Sequence, residues 1–520
     1  MVIRKISYYR VIVSLCLFMF LLSPVFGNEI SAVSFDKELP ENNIVTIQPD
    51  SLRILHNPLT GWVLYASMGV DAADFWAQYD HMYIPELGHN VSVTDYAHTL
   101  YIRASWTDFN PQEDVYGWKI DSNLRAYIEG AYQRNMRLAF RVVVDSRDKR
   151  TEFTPQFVKD AGAKGFMNKG KWSPYSDDPV FQKYYTKFVK ALAKDFNDPS
   201  KVEFIDGFGL GKWGEYHTMI YSTGDDTPKK AVFDWVTDIY SQAFDKVPVV
   251  INYHRWIGAG KDWVDDEHFA ADSEEMLEEA IKKGYSLRHD AFGMTTYYGS
   301  WERRFAEKYR NICPIIMEGG WIVKSHNYWQ DPRGYRKNSH EDVRRGEFDD
   351  SKEAHVNMMD FRFGDTESWF KDAFDLVRRF LREGGYRLYP SEISLPLEVS
   401  KKTTPTIKHC WNNLGWGYCP TNIPQWNQKY KVAFALLDSE TNEVRYTFVD
   451  TDTDLSKWIK GSPVEYVFEP DMSKVETGTY VWAVGLVDRS NKDLVGLEIA
   501  AKGEILDSGW LKLSKVSIKK

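Results

Sequence analysis

Two glutamates stand out for the residues around them. Glu215 closes Gly207-Phe-Gly-Leu-Gly-Lys-Trp-Gly-Glu-Tyr-His217, and Glu318 lies in Cys313-Pro-Ile-Ile-Met-Glu-Gly-Gly-Trp321. Each follows an apolar run, beside glycines that let another molecule approach closely and a tryptophan, Trp213 or Trp321, that can lie flat against it. Two carboxyl groups brought together can divide one reaction. The one kept protonated by burial and a neighbouring charge donates to a leaving oxygen; the other attacks an electrophilic carbon or activates water. A single Glu after an apolar run is usually a solvated loop residue, so the pairing carries the weight. His217, His254 and Tyr297 are positioned to tune such a pair, although His254, in Ile251-Asn-Tyr-His-Arg-Trp256, reads equally as a structural histidine. Asp145 is a further contact candidate, with a salt bridge to nearby Arg147 as its plainer role. Trp106, Trp213, Trp256 and Trp321 each follow an apolar run and are available either for stacking or for core packing.

Something must hold these groups at one place. Apolar, β-rich runs occur at 61–67, 99–105, 137–144, 202–210, 247–253, 291–297, 313–317 and 355–361. Between them lie stretches of helical periodicity, at 122–134, 181–192, 231–244, 273–283, 301–309 and 369–382. In 181–192 the apolar positions 181, 184, 185, 188, 189 and 192 recur at helical spacing. Strands apolar on both sides, alternating with helices, imply a parallel sheet. Eight such units fit an α/β fold, a (β/α)8 TIM barrel over 52–386, with catalytic side chains expected at the C-terminal ends of the strands. That rule puts Glu215 after strand four and Glu318 after strand seven. A doubly wound sheet lacks support, since no Gly-x-Gly-x-x-Gly follows the first strand. After 387 the texture changes to strands without helices, at 431–438, 444–450, 464–468, 479–488 and 494–500, joined by short polar turns. This predicts a C-terminal β-sandwich over 387–520 that packs on the barrel.

The chain has 520 residues, 65 basic and 74 acidic, for a net charge of -9, which leaves no broad basic field to hold nucleic acid. Arg4, Lys5 and Arg10 precede an apolar run at 11–22 and the small-residue pattern Val25-Phe26-Gly27, the form of a signal peptide over 1–27. The run is too short for a transmembrane span, and an exported protein, periplasmic, cell-surface or extracellular, is expected. Residues 28–51 then form an N-terminal extension. Cys410 and Cys419 close a short loop that admits either a disulfide or two thiols, and Cys313 reads as a buried small hydrophobe. Metal-ligand spacings are absent, and no metal or cofactor is expected.

The two-glutamate arrangement resembles the clan of retaining (β/α)8 glycoside hydrolases, in which the acid/base ends strand four and the nucleophile ends strand seven. Leu100-Tyr-Ile-Arg103-Ala-Ser-Trp106, running on through Pro111 to Tyr116-Gly-Trp118, is similar to the second-strand segment of that clan, where an Arg supports the nucleophile. Tyr297 falls where a Tyr contacts the nucleophile after strand six. Asn57-Pro-Leu-Thr-Gly-Trp62 and Gly211-Lys-Trp-Gly-Glu-Tyr-His217 more closely resemble a poorly characterised family of secreted bacterial barrel proteins with a C-terminal β-domain. The resemblance implies a secreted glycosidase acting on a poly- or oligosaccharide. Glu215 and Glu318 would be catalytic, and Arg103, Trp106, Asp145, Trp213, His217, His254, Tyr297 and Trp321 would surround the substrate. One departure matters: the clan has Asn before the acid/base, and here Gly214 stands there. It opens the alternative of a glycan-binding protein without turnover. A barrel hydrolase of esters or amides finds no Gly-x-Ser-x-Gly elbow.

Overall fold

A computed structural model describes residues 42–66, 68–147, 151–260, 267–293, 297–320 and 340–520. The signal-peptide segment 1–27 and Trp321 lie outside these residues. Eight parallel strands close into a barrel: β1 (Gly61–Tyr65), β2 (Ala97–Ser105), β3 (Arg137–Val143), β4 (Val202–Asp206), β5 (Val249–Asn252), β6 (Tyr285–Phe292), β7 (Ile315–Gly319) and β8 (Met358–Asp360). Closure is made by β8 pairing with β1, Asp360 opposite Val63. Helices Ser122–Gln133, Pro179–Phe196, Lys229–Ala243, Glu267–Lys282, Ser300–Tyr309 and His340–Glu353 lie between strands.

The period of two along each strand explains the near-continuous apolar runs. Trp62, Leu64, Leu100 and Ile102 face outward into the helix layer. Their neighbours Val63, Tyr101, Ala139, Phe204, Val250, Ile316 and Met358 belong to the barrel interior, so both faces are buried. Strand six differs from its sequence expectation: it runs over Tyr285–Phe292 rather than 291–297. The polar trio Arg288-His289-Asp290 disguised it as a loop. The last helical stretch is also two helices, Thr366–Asp372 and Phe374–Glu383, separated at Ala373.

The C-terminal part is a pair of sheets. One has the order Asn42–Thr46, Leu388–Pro396, Ile407–Asn413, Val464–Phe468, all antiparallel. The other is built around Tyr430–Asp438 and Gly478–Asp488 and includes Leu511–Lys519. Segment 42–46, read as extension, is therefore a strand of the C-terminal sheet. Trp411 and Trp458 stack at 4.8 Å within this core. Cys313, Cys410 and Cys419 are all buried free thiols. Among the described residues no helix is long and apolar enough to cross a membrane.

The sheets seal the barrel at the starts of its strands. Tyr386, Leu388, Trp426 and Tyr430 share one hydrophobic cluster with Val63, Tyr101 and Phe204. Asn357, just before β8, donates to Leu59 O and Tyr418 O. Gln425 donates to Gly284 O before β6, and Asn422 to Ile312 O before β7. Glu215 and Glu318 lie at the opposite end.

Candidate active site

One step of two residues beyond the apolar interior layer, the strands turn polar. Val63 is followed by Tyr65, Tyr101 by Arg103, Ala139 by Arg141, Phe204 by Asp206, Val250 by Asn252, Ile316 by Glu318 and Met358 by Asp360. On β6 two such positions, Arg288 and Asp290, are charged. Register aligns neighbours across the wall: Arg103 opposite Arg141, Arg141 opposite Asp206, Asp290 opposite Glu318, and Glu318 opposite Asp360. The strand ends thus converge on a ring of opposed charges.

Glu215 is delivered by the loop after β4. Gly209, at φ +68°, brings that loop against β3: a Cβ there would lie 2.0 Å from Val142 O. The turn then passes through left-handed conformations at Trp213 (φ 60°) and Gly214 (φ 77°). Arg103 Nη2 donates to Trp213 O at 2.6 Å, satisfying this carbonyl. The Glu215 carboxyl is 5% exposed, with Arg141 Nη1 3.6 Å and Arg103 Nη2 3.8 Å from Oε1. On its other oxygen, Oε2, both His217 Nε2 and Tyr297 Oη stand at 3.4 Å, and those two lie 2.8 Å from each other. His254 acts on the backbone. Its Nδ1 accepts from Trp256 N, which leaves Nε2–H to donate to Glu215 O at 2.7 Å. Burial, then the neighbouring His217, push the His254 pKa well below its usual value, so the ring is neutral.

Glu318, 4% exposed, has different company. Arg288 Nη2 donates to its Oε2 at 2.5 Å and to Asp360 Oδ2 at 3.1 Å, while Arg362 Nε stands 3.7 Å from Oε1. Arg288 Nε also donates to Asp290 Oδ1 at 2.9 Å. The other oxygen of Asp290 accepts from Arg141 Nη1 at 2.5 Å, and Arg141 Nε donates to Asp206 Oδ2 at 2.5 Å. Tyr101 donates to the same Asp206 oxygen at 2.9 Å. Arg141 and Arg288 are fully buried, which is tolerable only because each guanidinium meets several carboxylates. Burial first, then repulsion from Asp290, raises the Glu318 pKa to about 8 against the pull of Arg288. Asp360 is likewise raised by burial, to about 6.

The structure thus brings Glu215, Arg103, Trp213, His217, His254 and Tyr297 together, with Glu318 joined to them through Arg141, Asp290 and Arg288. Three expectations are corrected. Arg103 bonds Trp213 O and the Tyr65 hydroxyl and pairs with Glu215; the partner that hydrogen-bonds Glu318 is Arg288, from β6. Trp106 is wholly buried among Phe157, Phe181, Tyr185 and Phe188. It opens the short helix Trp106–Phe109 right after β2, and that turn carries its ring into the helix layer. Tyr297 sits in the loop beyond β6 rather than at the strand end. Asp145 is engaged by Arg147, with Nε at 2.6 Å, and by Ser173 at 3.2 Å. Trp256 is buried too, against Tyr297. Arg141, Asp206, Arg288, Asp290, Asp360 and Arg362 were missed. The signal for the first five was charge at inward positions of the strands; Arg362 lies just past β8. Among the described residues no group of His, Cys, Asp and Glu is placed to hold a metal ion.

No described protein family and no curated protein matches the sequence. Similar solved structures include the endo-β-1,4-mannanase from Thermotoga petrophila, at 13% identity and TM-score 0.38 over 89% of this chain and 99% of that one. An endoxylanase from Clostridium papyrosolvens has 9% identity and TM-score 0.37, over 82% of this chain and 95% of its own. Endo-glycoceramidase II from Rhodococcus sp. has 13% identity and TM-score 0.36, over 82% and 99%. At such scores these likenesses add nothing to the strand order itself, which defines a closed parallel (β/α)8 barrel with a C-terminal pair of β-sheets.

Proposed function

We propose that the chain is an exported glycoside hydrolase that cleaves O-glycosidic bonds of a poly- or oligosaccharide with Glu215 and Glu318. The observation that carries the proposal is the pair itself: two buried carboxyl groups, from the loop after β4 and the end of β7, tied into one charge network at the C-terminal end of the barrel. By strand position Glu215 is the acid/base and Glu318 the nucleophile of a retaining mechanism. Glu215 protonates the leaving oxygen, Glu318 attacks the anomeric carbon, and water then resolves the glycosyl ester with Glu215 as base. Attack requires Glu318 to be ionised, whereas burial and Asp290 favour its protonated form. The rate of attack should therefore rise as Glu318 loses its proton with increasing pH. Trp213, half-buried on the loop that carries Glu215, offers a ring for a pyranose face. Export is supported by the positive-then-apolar segment at 4–27.

A panel of aryl glycosides, run in parallel with a glycan-binding array, tests the proposal. Turnover, trapping of Glu318 by a 2-deoxy-2-fluoro glycoside and a first product of retained anomer are expected. A second reading, a glycan-binding barrel without turnover, is favoured by Gly214, which has no side chain to meet a sugar 2-hydroxyl. Array binding with no hydrolysis of any aryl glycoside would establish it.

A further inference from the structure

Around the two glutamates, contacts within 4 Å link five carboxyl groups, Asp206, Glu215, Asp290, Glu318 and Asp360, and four guanidinium groups, Arg103, Arg141, Arg288 and Arg362, and Arg362 continues outward to the more exposed Asp365 at 3.5 Å. Fully ionised, these nine groups carry one uncompensated negative charge in a buried place, an expensive state that one bound proton removes. Geometry says which carboxyl group does not hold that proton. Asp290 is the only one of the five that accepts a hydrogen bond from each of two buried guanidinium groups: Arg141 Nη1 to Oδ2 at 2.5 Å and Arg288 Nε to Oδ1 at 2.9 Å. Asp290 therefore takes up positive charge that would otherwise serve the glutamates. Glu318 must share Arg288 Nη2 with Asp360 and has Arg362 only at 3.7 Å.

With Glu215 and Glu318 taken as the reacting pair, we propose that Asp290 is a positioning residue. Clasped between Arg141 and Arg288, it aims one guanidinium at each glutamate and keeps the odd proton of the network on Glu318 in the free protein. The groups facing Glu318 agree. From β6 come Arg288 and Asp290, and from β8 and the residues after it Asp360 and Arg362. Arg103 on β2 and Tyr65 on β1 also interact with Glu318. On the outer side, the Glu347 carboxyl packs against Gly319 and is paired with Arg344 at 2.6 Å. Asp290 is the largest source of charge repulsion on Glu318, ahead of Asp360. In a (β/α)8 barrel whose strand-two arginine is turned toward Glu215, the strand-six pair Arg288 and Asp290 takes over the control of Glu318.

The test needs no substrate. The full chain is labelled with 13C at the Glu side-chain carboxyl, and Glu318 is assigned by loss of its resonance in Glu318→Gln. Its titration is then followed in the wild type, Asp290→Asn and Arg141→Gln. In the wild type Glu318 should titrate near pH 8. Asp290→Asn removes a like charge and frees Arg288, so the midpoint should fall by about one pH unit or more. Arg141→Gln leaves Asp290 with less positive charge, so the midpoint should rise, an opposite sign that a purely structural role does not give. A wild-type midpoint below pH 6, or a midpoint that moves with neither variant, overturns the proposal. If Asp290→Asn does not fold, the wild-type midpoint and the direction of the Arg141→Gln shift decide. Because protonation is read directly, a protein that titrates as expected yet hydrolyses no glycoside would refute the glycosidase proposal and leave the role of Asp290 standing.

Discussion

Two glycines in the loop that carries Glu215 have nearly the same backbone conformation and should respond very differently to one added methyl group. Gly209 and Gly214 have φ of +68° and +77°. Alanine in that left-handed region costs roughly 1–2 kcal/mol at either site. The surroundings then separate them. At Gly214 the nearest atoms to a Cβ are Arg141 Cδ, Gly209 Cα and Val143 Cγ2, all at 3.4 Å, an ordinary contact. At Gly209 a Cβ would sit 2.0 Å from Val142 O and 2.8 Å from the Tyr185 hydroxyl. The carbonyl belongs to β3 and cannot rotate away, so loop and strand must part by about 1 Å or more. Overpacking of that kind adds about 1–3 kcal/mol. Gly209→Ala should therefore lose about 2–5 kcal/mol, against about 1–2 for Gly214→Ala. Gly214→Asn, which restores the residue of the resembling clan, should lose less still because Asn tolerates the left-handed region. The functional contrast is larger. Displacing Glu215 by about 1 Å should cost on the order of 10²-fold in kcat/KM. Calorimetry and steady-state kinetics of the three variants on one aryl glycoside provide the comparison. Gly209→Ala matching the wild type in melting temperature and rate, or Gly214→Ala proving the worse, would refute the account of how this loop is placed.

Glu215→Gln should slow glycosides with poor leaving groups by about 10²–10⁴-fold more than activated aryl glycosides; equal losses would remove Glu215 from the role of acid. Trp106→Ala should cost about 3–5 kcal/mol in unfolding while leaving KM near the wild-type value, because the ring fills the helix layer and not a sugar subsite. Stability should peak near pH 6.5. Burial lowers the pKa of His98 and His289 to about 3, that of His355 to about 4, and that of His254 well below its usual value, so the unfolded chain binds more protons and stability falls below that pH. Glu318, raised to about 8, holds a proton in the folded state that the unfolded chain has already released, so its contribution is lost as pH rises through 8. Asp360, raised to about 6, acts in the same sense over a lower range, where four histidines outweigh it. Thermal melts from pH 4 to 9 measure this, and a flat profile or a maximum at either end would contradict it.

How much of the site could be read in advance depended on how local each signal is. Seven of the eight barrel strands, and the placement of Glu215 and Glu318 after the fourth and seventh, follow from apolar runs, helical spacing and glycines, all properties of short windows of chain. Strand six escaped because Arg288, His289 and Asp290 interrupt its apolar pattern, and a charged strand interior makes sense only beside its partners on β3, β7 and β8. Four residues could not be placed from neighbours in sequence at all. Trp106 reads as a cleft residue from its position after a strand, but the helix that starts on it turns it into the core. Cys410 and Cys419, nine positions apart, remain separate thiols in the fold. Arg103 was expected beside Glu318, yet closure of the barrel put it against Trp213 O and Glu215. The barrel and its two glutamates are inscribed in the pattern of the chain because burial and periodicity act residue by residue. Which arginine serves which carboxylate was decided only when eight strands closed into one ring, because charges interact through space and their worth depends on distance and burial, neither of which exists along the sequence.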